Sequence, residues 1–249
     1  MENIKKNFDE FVFNTWIMPI AIAGAPFFVI ALYRGIISSD WLEASVNFTL
    51  TIIMLTFFGY IAREWGKNYE GKMYKNLGGM PTTIILRFSD EKIDSVSKLK
   101  YHKILNHIIP DVVFPLSLTE EQADNDSDEK YIYAMRFLRV HANSNRDKYP
   151  RVYQELKKYN FWRNLYGCKK LFVVSYLVLL IRECVVVEEF SLKEIFITPS
   201  EKYCVFLGLL AWAIVFLLIV TKKTVMRNAF DYAKTLLEIL EKVSQEENV

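Results

Sequence analysis

Cysteine and histidine are scarce here, three of each among 249 residues. Three cysteines cannot build the disulfide framework that holds small secreted domains together. Cys184 and Cys204 fall near the outer ends of two apolar runs, where a bridge is geometrically conceivable, but isolated cysteines in apolar helices read first as packing residues. His102 and His107 are five apart on a predicted helix, whereas two ligands share a face at a spacing of four, and His141 stands alone. No metal centre and no cofactor are expected. The chain also lacks a Gly-Lys-Ser/Thr phosphate loop, a glycine-rich dinucleotide spacing and any recognisable nucleophile–His–acid grouping, so enzymatic function has no positive support.

Charge is absent from three long runs. Residues 11–33 hold 23 uncharged residues, and residues 44–62 and 203–221 hold 19 each. With 52% apolar residues, 15% aromatics and a mean hydropathy of +0.11, the composition is too apolar for an ordinary soluble domain. A span takes roughly 20 apolar residues, so these three runs are expected to cross a bilayer. A fourth run, 171–187, is interrupted by Arg182 and Glu183 and is paired with 203–221 as a crossing with a charged outer end. The first run is too long for a cleaved signal peptide. It carries Pro19, Gly24 and Pro26, which predict a kinked helix whose freed carbonyls need partners from neighbouring helices.

Basic residues orient the spans. Lys5 and Lys6 precede the first run; residues 63–170 carry 20 Lys and Arg against 14 Asp and Glu, a net of +6. The tail adds Lys222, Lys223 and Arg227 at the membrane edge, whereas the short loops hold Arg34 and then Arg182, Lys193 and Lys202 among more acids. Both termini and the central block are therefore expected in the cytoplasm, with the protein in the inner membrane. The expected fold is an all-α integral membrane protein of four transmembrane helices. Residues 1–62 form one hairpin, 63–170 a small helical cytosolic domain, 171–221 a second hairpin and 222–249 an amphipathic tail. Beside a membrane the +6 block is read as lipid-facing, and no specific nucleic-acid partner is expected.

Within the block, a charged helix continuing the second run is weakened by Gly66 and Gly71 and ends at Gly78-Gly79 and Pro81. Residues 98–109 read as a helix, and Thr119 and Gln122 have capping-box spacing. Asp124, Asp126 and Asp128 alternate as in a calcium loop, but Glu129 stands where the turn glycine belongs and Met135 where the closing Glu belongs. In the tail, Val225, Ala229, Tyr232, Leu236, Ile239 and Val243 follow spacings of 4, 3, 4, 3 and 4. This is a heptad seam for a homo-oligomer, or else an amphipathic face packed on the protein's own domain. No Gly or Pro separates it from the fourth run, which predicts one continuous helix.

Two segments are more specific than these patterns require. NLGGMPTTIILRFSD, with YHKIL downstream, resembles the Trp-Gly-Gly-x-Pro-Thr-Thr-x-x-Leu-Arg signature of a family of uncharacterised prokaryotic membrane proteins. NFWRNLYG is similar to that family's Tyr-Gly-Phe-Arg-Arg-Asn-x-x-Gly motif; Leu77, Asn160 and Trp162 depart from it. Gly78, Gly79, Pro81, Thr82, Thr83, Arg87 and Asp90, with Arg163 and Asn164, are the candidates for binding a small anionic signal or a cytosolic protein. Arg87 and Arg163 would pair with an anion or with an acid of the same domain. Arg182 and Glu183 are candidates for a pore mouth or gate. The layout is similar to four-span membrane effectors of anti-phage defence. The function expected is a non-enzymatic, oligomeric effector of membrane permeability; a membrane-anchored scaffold that recruits a soluble enzyme, or a small transporter, are the alternatives.

Overall fold

The computed structural model describes residues 10–30, 41–186 and 203–247, with side chains over 10–30, 53–185 and 203–245. The regular secondary structure of the described residues is all helical, with no strand among them. In chain order the helices are α1 (Glu10–Ala23), α2 (Trp41–Leu77), α3 (Pro81–Ile84), α4 (Ser95–Ile108), α5 (Leu118–Ala123) and α6 (Ser127–Ser144), then α7 (Pro150–Gly167), α8 (Lys169–Val186), α9 (Cys204–Ile219), α10 (Lys222–Glu238) and α11 (Leu240–Glu247). Residues 25–30 add a short helical stretch after α1. Lys5, Lys6, Arg34, Lys193, Lys202 and residues 31–33 and 187 of the predicted runs lie outside the described residues.

The chain divides into two compact units. Unit 1 comprises Met1–Tyr69 and Asn160–Thr224, and unit 2 comprises Glu70–Tyr159 and Val225–Val249. Helices α2, α7 and α10 run across the divisions, so the boundaries between the units fall inside helices.

Unit 1 is built on close backbone approach. A Cβ on Gly167 would stand 2.5 Å from Gly66 N and 2.8 Å from Ala62 O, and one on Gly59 would stand 3.1 Å from Trp16 O. The strip Gly59, Ala62, Gly66 on α2 thus admits α1 on one side and α7 on the other, the small-residue packing that membrane helices favour. α2 runs through Gly66 without a break, continuous over 37 residues. Around this strip Ile20, Ala23, Leu165, Phe172, Tyr176 and Phe216 close the core.

The first run is irregular where its proline and glycine fall, and two of its carbonyls are filled from other helices. Pro19 has no N–H for Thr15 O; Asn164 Nδ2 supplies the missing donor at 2.6 Å. A π turn over Phe13–Ile17 precedes the proline, with Met18 N–H bonded to Phe13 O. At Gly24 the helix breaks again, Phe27 N turns to Gly24 O, and the Tyr176 hydroxyl donates to Ala23 O.

The fourth run and the tail are not one helix. α9 ends at Ile219, α10 starts at Lys222, and the two are bent by 47°. Thr221 Oγ1 accepts from Thr224 N at 3.1 Å, capping α10, while Lys169 Nζ donates to Val220 O at 2.6 Å and Leu217 O at 3.1 Å at the end of α9. Capping residues thus end a helix without Gly or Pro. Among the described residues no single helix is long and apolar enough to cross a membrane; the bent pair α9 with α10–α11 passes that test together.

Unit 2 buries Ile85, Leu86, Leu105, Tyr131, Met135 and Leu138 with the tail residues Leu236, Leu237 and Leu240. All six seam residues, Val225, Ala229, Tyr232, Leu236, Ile239 and Val243, are buried within the single chain. Within the single chain these residues take the second of the two readings, an apolar face packed on the protein's own domain, because α10 and α11 complete that core. Burial pushes the Tyr232 hydroxyl up to about 12. The cap of α5 lies two residues before the expected place: the N-cap Ser117 accepts through Oγ from Glu120 N at 3.2 Å, and Glu120 Oε2 accepts from Leu116 N, one residue before the N-cap, at 2.7 Å.

Candidate functional site

The glycine turn of unit 2 follows from its dihedrals. Gly78 and Gly79 adopt φ of +83° and +152°, conformations closed to most side chains, and end α2. Met80, extended before Pro81 as a pre-proline residue must be, caps α3, and Pro81 opens it. The short helix turns the chain back on itself and brings Arg87 under the glycines. Arg87 Nη2 donates to Gly78 O at 2.8 Å, and a Cβ on Gly79 would stand 3.0 Å from the same nitrogen.

Arg87 meets Asp128 of α6 in a two-pronged pair, Nε to Oδ1 at 2.8 Å and Nη2 to Oδ2 at 2.6 Å. The hydrogen bond to Asp128 holds the guanidinium pKa above its ordinary value against partial burial. Arg87 thus has the acid of its own domain that the sequence offered as one of two possible partners.

The segment after α3 is pinned group by group. His102 places Nε2 at 3.0 Å from Leu86 O and Nδ1 at 2.6 Å from Pro115 O. Lys98 Nζ donates to Arg87 O at 2.7 Å and to Asp90 O. Glu121 Oε2 accepts from Phe88 N at 2.8 Å and from the Tyr131 hydroxyl at 2.7 Å. Burial pushes the pKa of both Lys98 and His102 down; burial and the bond to Glu121 push that of Tyr131 up. Asp90 Oδ1 accepts from Lys92 N at 3.0 Å, a local turn.

Sequence reasoning missed Lys98, His102, Glu121 and Tyr131 as partners. A signal for the first two was present, since positions 98, 102 and 105 share the apolar side of α4 and only the last is apolar. Polar residues on a buried stripe need partners, and these two fix a loop.

The candidate residues fall into separate groups. Gly78, Gly79, Pro81, Thr82, Thr83, Arg87 and Asp90 all lie in unit 2, and three of them, Gly78, Gly79 and Thr83, line a cavity of about 290 Å³ with Tyr74, Lys75, Met80, Asp128 and Ile132. Tyr74 and Tyr159 share a hydroxyl–hydroxyl bond of 2.5 Å at one wall. Arg163 and Asn164 lie in unit 1 and are buried; Arg163 Nε and Nη2 each stand 3.2 Å from Asn164 Oδ1. Asn164 ties α7 to α1 through its bond to Thr15 O. Arg182 and Glu183 lie on α8 in unit 1, 3.6 Å apart, with Glu183 buried and Arg182 exposed. Among the described residues no group of three or more His, Cys, Asp or Glu is placed to hold a metal ion. No protein-family model, curated protein or solved structure matches the chain.

Proposed function

We propose that the chain is a multi-pass protein of the inner membrane, with unit 1 in the bilayer and unit 2 in the cytoplasm, acting as an oligomeric effector that alters membrane permeability when unit 2 meets a signal or partner. The observation that carries this reading is the outer surface of unit 1. Val29, Phe57, Val174, Val178, Ile181, Val185 and Leu218 are all exposed there, over a core that is already apolar. Helices apolar on both their inner and outer faces belong in a large core or in lipid.

The interior of unit 1 supports it further. Its irregular first helix has two carbonyls filled by side chains, as hydrocarbon requires, and its crossings use glycine and alanine. The 16 residues of α9 cover about 24 Å, and the residues that precede Tyr203 lie outside the described ones. Arg182 and Glu183 are the proposed gate, because a buried carboxylate on a membrane helix is costly unless it serves a partner or water. Anti-phage defence is the proposed setting, on likeness of layout alone.

Purified protein in liposomes loaded with a self-quenched dye tests the proposal. Leakage that rises with the protein-to-lipid ratio is expected. Tight membrane association without leakage under any ligand or pH would leave the anchored scaffold in its place.

A further inference from the structure

Unit 1 holds a cavity of about 290 Å³ between α1 with the stretch after it, the first half of α2 and the start of α8. Phe27, Phe58, Leu171 and Phe172 are among its walls. The polar side chain of the wall, Ser175, donates its hydroxyl to Leu171 O at 3.0 Å. Among the described residues the lining therefore offers no uncommitted polar side chain to a solute. Folded interiors leave few spaces larger than a water molecule. A dry apolar cavity of about 150 Å³ already takes up benzene, and this one is roughly twice as large.

The cavity reaches the outer surface of unit 1. Met54 lines it and is 53% exposed, and Phe57, one turn on, is exposed as well. Its depth follows from α2. Phe58 and Met54 stand five and nine residues before Arg63, the first charge after the second apolar run. At 1.5 Å per residue that is about 8–14 Å along the helix. One half of a hydrocarbon core is roughly 15 Å thick. The Arg63 guanidinium lies 4.9 Å from the Trp16 ring, and the Lys170 ammonium lies 5.8 Å from the Tyr69 ring. Basic groups set on Trp and Tyr mark the level of lipid headgroups.

We propose that this cavity holds one acyl chain of a bilayer phospholipid, entering past Met54, with its headgroup at the level of Arg63 and Lys170. The proposal rests on unit 1 being the membrane part and gives that part a bound lipid. An acyl chain is flexible, wholly apolar and abundant at this depth, and it asks no polar contact of the wall. A helix of a second copy is about 10 Å across with its side chains, too wide to enter.

Vesicles of phosphatidylethanolamine and phosphatidylglycerol carrying a diazirine in the distal half of one acyl chain test it, with the full chain reconstituted and irradiated. Adducts should concentrate on residues 54–58 and 171–175, at least fivefold above those on Val178 and Leu218, which are exposed outside the cavity. Native mass spectrometry from micelles should show one phospholipid retained per chain. Ser175→Leu fills the cavity. Met54→Trp, a change at an exposed position that leaves the core intact, narrows its mouth. Each should cut retention at least fivefold. Ser175→Leu should also raise the melting temperature of delipidated protein and abolish the rise that added phospholipid gives the parent. Adducts spread evenly over the outer face, no retained lipid, or retention unchanged in both variants would overturn the proposal. A chain that inserts into vesicles but retains no lipid overturns this proposal alone, and one that does not float with vesicles overturns the membrane reading with it. A chain that retains lipid and never releases dye overturns the permeability reading and keeps this one.

Discussion

Asn164 fills, from 149 residues away, the backbone acceptor that Pro19 leaves empty at Thr15. The proline and the asparagine are thus one device, and each sets the worth of the other. Asn164→Ala should cost about 1–2 kcal/mol, measured as equilibrium unfolding in micelles. In a Pro19→Ala background the new N–H can reach Thr15 O within the helix, and the same change should cost less than half as much. Equal costs in the two backgrounds would separate the device into unrelated parts.

Gly167 of α7 and Gly71 of α2 make an opposed pair. Gly167→Ala would drive a methyl group to 2.5 Å from the backbone of Gly66, which no side-chain movement relieves. A loss of several kcal/mol, or failure to fold, is expected. Gly71 has nothing within 4 Å of the position a Cβ would take. Gly71→Ala should therefore stabilise by about 0.5–1 kcal/mol. Melting temperatures in one detergent decide both.

Arg87 and Asp128 are 22% and 49% exposed, so water screens part of their attraction. Asp128→Asn should cost only about 1 kcal/mol. Arg87→Lys should cost at least as much despite keeping the charge, because a lysine cannot hold both carboxylate oxygens and Gly78 O together. A variant Arg87→Lys as stable as the parent would show that the two-pronged geometry contributes nothing.

Burial holds the His102 pKa below its ordinary value, against the two carbonyls that favour its charged form. The unfolded chain then binds the extra proton first. Stability from this site is fully present above about pH 6.5 and falls as pH drops through and below that value. Denaturant midpoints measured between pH 8 and 5 should decline in the parent, and decline less in His102→Gln. A midpoint that rises toward pH 5 would mean that the carbonyls outweigh burial.

Leu236 is fully buried in the core that α10 completes. Leu236→Glu should unfold unit 2, seen as loss of helical signal and of protease resistance. The exposed pairs that flank the tail, Lys100 with Glu241 at 2.8 Å and Arg151 with Glu238 at 3.0 Å, should each contribute about 0.5 kcal/mol or less. A soluble, fully helical Leu236→Glu chain of smaller mass would support the oligomer seam.

Helix content, the irregularity at Pro19 and the stop at Gly78-Gly79 were legible in the sequence because each has a local cause. The partners were not. Nothing adjacent to Thr15 indicates that its acceptor is filled by Asn164. The heptad spacing of the tail was real, yet spacing marks only a buried stripe and not what buries it. The break at Thr221 was hidden because threonine caps and lysine donors end helices less visibly than proline does. Arg87 was correctly offered an acid of its own domain, but its choice of Asp128 depended on the turn that Gly78 and Gly79 allow.

Synthesis imposes an order on the proline device. At about 5–20 residues per second, a ribosome reaches Asn164 roughly 7–30 s after it has made Thr15. Through that interval the first helix has no native donor for one of its carbonyls, and the Tyr176 hydroxyl that serves Ala23 arrives later still. The first helix must wait in an unfinished state, that carbonyl left to water, until the second half of the chain emerges. A chain truncated before Asn164 should therefore leave its first helix more open to proteolysis than the full-length protein does.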